Sequence, residues 1–116
     1  MTLAGKKIGI LCGGQSEERE VSLKSGQAIY SALKDEGLNV VLIDVNRAVL
    51  KKIEKKEINV AVLALHGGWG EDGTIQAVCK LAGIPFTGPD VLGSALALDK
   101  VMAKKIFKSE GIPTPP

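Results

Sequence analysis

The sequence predicts a three-layer α/β/α domain on a four-stranded parallel sheet of order 2-1-3-4, and three observations predict it. Short runs rich in Val, Ile and Leu recur along the chain with helical patterns between them. Those runs are apolar throughout instead of alternating, as parallel strands covered on both faces are. The resulting order βαβαβαβα calls for right-handed crossovers. Two glycine-bearing loops follow the first and third runs, and the order 2-1-3-4 brings both to the topological switch point, where open α/β sheets bind ligands.

The first strand is expected at Lys7–Cys12. After it, Val21, Ser25, Ala28, Ile29, Ala32 and Leu33 fall at i, i+4, i+7, i+8, i+11 and i+12, a helical stripe of small and apolar side chains expected to face the sheet. Gly37 suits a C-terminal cap. The second strand is Val40–Asp44, followed by a short amphipathic helix over Arg47–Lys56 that carries Val49, Leu50 and Ile53 among lysines and glutamates. A third strand spans Val60–Leu65. The next helix covers Thr74–Ala82, with Asp72 as N-cap and Gly83 at its end, and leads to a short fourth strand, Pro85–Thr87. Asp99 caps a last helix from Lys100 to Glu110, with Met102, Ala103, Ile106 and Phe107 as its buried face and Gly111 and Pro113 as its stop. Residues 1–112 are expected to form one domain, and 113–116, with Thr114-Pro115-Pro116, to begin an interdomain linker.

Composition narrows the function classes. A chain of 116 residues has the size of one domain. With 45% apolar and 24% charged residues, it fits an ordinary globular protein and argues against disorder and membrane insertion. Aromatics at 3% leave little to stack nucleic-acid bases, and a net charge of +2 is too small to call for a nucleic-acid partner. Lys6-Lys7 before Ile8-Gly9-Ile10-Leu11-Cys12 superficially suggests a secretion signal, but the apolar run is too short and Gly13-Gly14 breaks it. A cytoplasmic location is expected. Cys12 and Cys79 belong to no C-x-x-C pair and no metal-ligand spacing, so two buried, reduced thiols are expected.

The first unusual loop is Gly13-Gly14-Gln15-Ser16-Glu17-Glu18-Arg19-Glu20-Val21-Ser22. Paired glycines after a strand permit a sharp turn and leave room for a ligand against the backbone. A dinucleotide fingerprint would need a third glycine at fixed spacing, and a phosphate loop would need G-K-[ST]; neither is present. Glu18 could face the crevice and receive a ligand's ammonium group. Alternatively the acidic residues complement the helix dipole, worth about 0.3–1 kcal/mol each, and periodicity alone favours that simpler role. Asp44 occupies the place of a nicotinamide fold's ribose acid, but without the glycine fingerprint it is discounted.

The second loop, His66-Gly67-Gly68-Trp69-Gly70-Glu71-Asp72-Gly73-Thr74-Ile75-Gln76-Ala77, can present backbone N–H groups to an anion. His66, at the carboxyl end of a central strand, could donate to a carboxylate or phosphate, or could merely pin the loop to a backbone carbonyl. As the only histidine it cannot form a multi-histidine metal site, and no metal ligand is assigned. Glu71 could support His66 or be solvated. Lys100, Lys104 and Lys108 recur on one face of the last helix; such a run is usually the wet side, though one lysine could reach a phosphate from a neighbouring domain.

Taken together the segments resemble the D-alanine–D-alanine ligase family. The signature H-G-x-x-G-E-D-G-x-[aliphatic]-[QSA]-[GSA] is met in full from His66 to Ala77. Gly13-Gly14-x-Ser16-x-Glu18-Arg19-Glu20-Val21-Ser22 is similar to that family's opening motif. Thr87-Gly88 followed by Ser94-Ala95-Leu96-x-x-Asp99-Lys100 is similar to its third stretch. The resemblance covers nearly the whole chain and implies a rudimentary Rossmann-like, pre-ATP-grasp domain of a cytoplasmic enzyme that joins two D-alanines for peptidoglycan with ATP and magnesium. It further implies that Glu18 holds the ammonium of the first D-alanine, and that His66 lies near that substrate's carboxylate. Gly13, Gly14 and Ser22 would complete the substrate site, with Gly67, Gly70, Glu71, Asp72 and Gly73 supporting the loop, and Lys100 would approach the nucleotide phosphates. Family members continue through a central ATP-grasp region and a C-terminal region, so this chain alone is expected to make no dipeptide and to bind ATP negligibly. A homodimer is implied for the full-length enzyme. The alternatives are a D-alanine–D-lactate or D-alanine–D-serine ligase, and a non-catalytic flavodoxin-like binding module in which Glu18 and His66 need not converge.

Overall fold

The structure is a computed structural model that describes residues 3 and 5–115; Pro116 of the expected linker and residues 1, 2 and 4 lie outside the described residues. β1 (Lys7–Gly13) is central, with β2 (Asn39–Val45) and β3 (Val60–Leu63) parallel on either side. Leu11 pairs with Ile43 on one side and Leu63 on the other, and Cys12 pairs with Asp44. Every β1 residue from Ile8 to Gly13 is buried. That double coverage is the reason its sequence does not alternate.

The sheet has three strands, not the four expected. At Pro85–Thr87 there is one parallel bridge, Ala61 to Phe86, in which Ala61 N donates to Pro85 O (2.9 Å) and Thr87 N to Ala61 O (3.1 Å). The ladder stops there for identifiable reasons. Pro85 has no N–H to donate, and the N–H of Leu63 is taken by the Thr87 hydroxyl (3.0 Å) instead of a backbone carbonyl. The place beside β3 is nevertheless the one that the order 2-1-3-4 assigns to the fourth strand.

On one face Ile8, Ile10 and Cys12 pack beneath α1 (Arg19–Asp35), against Ile29 and Leu33. On the other, Leu11, Ile43 and Ala61 form a core with α2 (Val49–Lys56) and α3 (Thr74–Leu81) through Ile53, Ile75 and Cys79. Three layers result, as expected. The inward stripe of α1, however, is rotated by one residue, about 100°. Ser22 and Gly26 are its buried positions, while Val21 is 55% exposed and Ala28 and Ala32 are also exposed. Gly26 explains the rotation. A Cβ there would stand 2.7 Å from Cys12 Cβ and 2.8 Å from its Sγ, so the bare backbone lets helix and strand meet.

Three helices stop as their sequences indicate. Leu38 N donates to Leu33 O with Gly37 N to Lys34 O, and the same paired bonds recur at Gly83–Ile84 and Gly111–Ile112. α3 differs at its start: Gly73, at φ 95°, is the N-cap, and Asp72 stands one residue earlier, accepting from Thr74 N at 2.9 Å. The chain also forms a helix that periodicity did not isolate, α4 (Val91–Leu98), because VLGSALAL has no polar face to give it a period. Asp90 caps it, and Asp99 caps α5 (Lys100–Ser109) by accepting from Val101 N and Met102 N, both at 3.1 Å. α5 packs chiefly against α4. Of its expected buried face only Ala103 is buried; Met102, Ile106 and Phe107 stay 38–43% exposed. No helix among the described residues is long and apolar enough to cross a membrane.

Candidate functional site

β1 and β3 run in the same direction, so the loops that leave them emerge side by side at the carboxyl edge of the sheet. Three serines join those loops. Ser22, wholly buried on the first turns of α1, accepts from Gly13 N (2.8 Å) and donates to Ala64 O (2.7 Å), tying one strand end to the other. Ser16 Oγ donates to His66 O (2.7 Å) and accepts from Glu18 N (3.2 Å). Ser25 Oγ lies 3.1 Å from His66 Nε2. The imidazole is thus held by a side chain of α1, and among the described residues it meets no backbone carbonyl of the kind that the simpler role required.

Between the loops lies a pocket of about 170 Å³, lined by Gly13, Gly14, Gln15 and Ser16 from one side and by Leu65 to Gly70 from the other. It is smaller than the roughly 300–1,000 Å³ of drug-sized ligand pockets. Glu18 stands at the rim. It occupies the N-cap position of α1, yet its side chain makes no capping hydrogen bond, so the carboxylate is uncommitted to the helix. A Cβ on Gly67, which has φ 70°, would come within 2.8 Å of Glu18 Oε2, and glycine there leaves room for the carboxylate beside His66. Gly70 is needed for another reason: a Cβ would overlap Leu65 Cβ and stand 2.9 Å from the Leu65 carbonyl carbon.

The structure therefore brings together Gly13, Gly14, His66 and Glu18. It removes Ser22 from direct ligand contact, because its hydroxyl is buried and occupied at both ends. Glu71 is exposed and, among the described residues, makes no hydrogen bond to His66. Lys100 lies apart, exposed at the start of α5 on a different cavity with Lys104 and Phe107. Gln76, unremarked in the sequence, is buried and donates Nε2 to Gly70 O at 3.2 Å, bracing the second loop from α3.

Asp44, discounted along with the nicotinamide reading, and Arg19, named only as part of the opening motif, meet beside the site. Arg19 grips Asp44 with two parallel bonds, Nη1 to Oδ1 at 2.7 Å and Nη2 to Oδ2 at 2.5 Å, and Nη1 also reaches Gly14 O at 3.0 Å. The signal that could have found them is the strand order: with β2 beside β1, the end of β2 must border the first loop. The guanidinium holds the Asp44 carboxyl below its ordinary 3.8. Burial first, and then the Asp44 charge, pushes the Cys12 thiol up, while burial pushes Cys79 up to about 11. Both thiols are buried and free, as expected.

A depressed carboxyl pKa gives stability that is present above the unfolded value and lost as pH falls through the lower folded one. The Asp44 contribution should thus persist at pH 7 and begin to fade below about pH 4, disappearing only as pH falls through the lower folded value. Its side chain is 43% exposed and that of Arg19 42%, so screening limits the effect to about 1 kcal/mol or less. Urea titrations at pH 7 and pH 3 of the wild type and of Asp44→Asn should show the gap between them closing at the lower pH; a gap that widens would contradict it.

Residues 7–52 and 46–89 match the family model described as "D-ala D-ala ligase N-terminus". The chain is 59% identical over 110 residues to a D-alanine–D-alanine ligase of Magnetococcus marinus, a match covering 95% of this chain and 36% of that protein. Among solved structures, it resembles the D-alanine–D-alanine ligase of Bacillus anthracis complexed with ATP, at TM-score 0.86 and 39% identity over 96% of this chain and 38% of that one. It also resembles the VanG D-Ala:D-Ser ligase of Enterococcus faecalis, at TM-score 0.79 and 30% identity over 96% of this chain and 43% of that one. The chain spans about a third of the length of the curated relative it matches. With more than half of its residues inside the family model, and with the three-strand fold and paired loops in place, the chain belongs to the D-ala D-ala ligase N-terminus family.

Proposed function

We propose that this chain is the part of a cytoplasmic, ATP-dependent D-alanine–D-alanine ligase that receives the first D-alanine, in an enzyme that serves peptidoglycan synthesis as a homodimer. The observation that carries it is the Ser16–His66 bond, which closes the loops after β1 and β3 around one small pocket with the Glu18 carboxylate at its rim. Glu18 binds the substrate ammonium, a charge-assisted contact whose direction is fixed because Ser16 holds the Glu18 backbone. His66, oriented by Ser25, faces the substrate carboxylate, and the glycine backbone of both loops supplies N–H donors around it. The chain's work is positioning and charge stabilisation. In a full-length ligase, ATP with magnesium would supply the phosphoryl group that activates the carboxylate. No three His, Cys, Asp or Glu side chains among the described residues cluster to hold a metal. By likeness to the longer ligases, of which this chain spans about a third, both groups are assigned outside it, with Lys100 as its contribution toward the phosphates. Residues 1–112 are taken as the substrate domain and 113–116 as the start of the linker, although α4 and α5 stand apart from the sheet and lie beyond the family match.

Two measurements test the proposal. A chimera in which this chain replaces the matching third of the Magnetococcus marinus ligase should release ADP when given ATP, magnesium and D-alanine. The chain by itself should release none, and turnover by the chain alone would refute the division of labour. The likeness to a D-Ala:D-Ser ligase supports a second reading for the other amino acid. Competition between D-alanine, D-serine and D-lactate in the full-length enzyme decides it.

A further inference from the structure

We propose that Asp44, acting through Arg19, is a positioning residue for the pocket: the ion pair holds the Gly13–Glu18 loop in its binding geometry. The inference rests on the pocket being an amino-acid site, and it reaches a residue that touches no ligand itself. Arg19 is the first residue of α1 and follows Glu18 directly, so whatever fixes its guanidinium also fixes where the helix begins and the carboxylate stands. Asp44 is a firm anchor because it lies in the β2 ladder opposite Cys12, with its carbonyl accepting from Lys52 Nζ at 2.8 Å. The planar fork adds direction, since two parallel bonds define one orientation where a point charge would not.

The pair is also pressed onto the loop. A Cβ on Gly13 would overlap Asp44 Oδ1 and stand 2.7 Å from Arg19 Nη1, so the fork lies against the backbone that forms the pocket floor. Arg19 Nη1 further claims the Gly14 carbonyl and keeps that acceptor engaged with the fork. Both side chains are more than two fifths exposed, and ion pairs so exposed contribute little to global stability. Local order is the effect left for it. A misplacement of about 1 Å at a distance from the chemistry is enough to weaken a bound geometry severely.

The test uses the chain as it is. Trp69 is its only tryptophan and lines the pocket, so its fluorescence reports D-alanine binding, while amide hydrogen exchange reports loop order without any ligand. Asp44→Asn should raise exchange at Gly14 to Glu18 about 10-fold, leave β1 protection unchanged, and weaken D-alanine about 10-fold, with the melting temperature moving by less than about 5 °C. Asp44→Glu should restore order and affinity, whereas Arg19→Lys should not, because an ammonium lacks the fork's two parallel donors. Unchanged loop exchange, or equal loss of protection in loop and strand, overturns the proposal. So does faster loop exchange with D-alanine affinity intact. If D-alanine perturbs Trp69 in neither protein while loop exchange still rises, the ordering role stands and the amino-acid assignment of the pocket fails.

Discussion

Exchanging Glu18 for Gln in a full-length ligase carrying this segment should lower kcat/KM for the first D-alanine about 100-fold while leaving the chain as stable as before. The change keeps shape and hydrogen-bonding reach and removes only the charge. Hydrogen bonds to charged groups are worth about 1.5–3 kcal/mol, and the upper end of that range corresponds to roughly two decades of rate. Stability should hold because Glu18 is exposed and makes no capping bond, so the fold has nothing to lose. Initial rates over a range of D-alanine concentrations, with a parallel urea titration of the isolated chain, separate the two effects. A change in kcat/KM of less than about threefold would remove Glu18 from the site, and a large loss of stability would make it a structural residue.

The second large effect is expected at Gly70. Replacing it with Ala should cost about 3 kcal/mol, at the upper end of what overpacking usually does. Its φ is not in the left-handed region, so the cost is steric alone: the new methyl would overlap Leu65 Cβ and meet the Leu65 carbonyl carbon and oxygen at 2.9 and 3.0 Å. Those are atoms tied to the backbone, and they cannot swing aside. Gly93 makes the control. It lies inside α4, where the nearest atom to an added Cβ is Pro89 Cβ at 3.7 Å, so Gly93→Ala should gain part of the roughly 1 kcal/mol by which Ala exceeds Gly in a helix. Opposite shifts in the urea midpoints of these two variants are the expected result; a neutral Gly70→Ala would show that the second loop is loose.

Much of the fold was legible because the strands are buried on both faces and spell this out in unbroken apolar runs. Glycines after the helices likewise announced their ends. What was missed has specific physical causes. The inward face of α1 is carried by Ser22 and Gly26, residues with no apolar signature, and their burial reflects backbone proximity to Cys12 and a strand-end hydrogen bond. The fourth strand failed because a proline and a side-chain hydroxyl took the ladder's places. The face of α5 was assigned by periodicity alone, and its main neighbour is the small helix α4, which leaves Met102, Ile106 and Phe107 partly exposed.

At the site, spacing and resemblance supplied Glu18, His66 and the glycines, since each is tied to a loop that follows a strand. Ser25 was placed only in a helical stripe and Asp44 only in a discarded nicotinamide reading, so neither was linked to the site. Each belongs to another element and reaches the pocket only across the fold, to His66 in one case and through Arg19 in the other. Asp72 was recognised as a helix-start residue but misplaced by one position, because Gly73 at φ 95° makes the turn that an acidic residue could not make cheaply.

The hydroxyl ties have an electrical consequence. Ser16, Ser22 and Ser25 fasten the two loops without contributing any charge, so counter-ions have nothing to compete for at those joints. Those seams should hold alike in brine and in dilute buffer, whereas the wall set by the Arg19–Asp44 latch should slacken as salt rises. Salt should therefore act twice on a zwitterion's hold, by screening the carboxylate at the rim and by loosening the one wall that carries it.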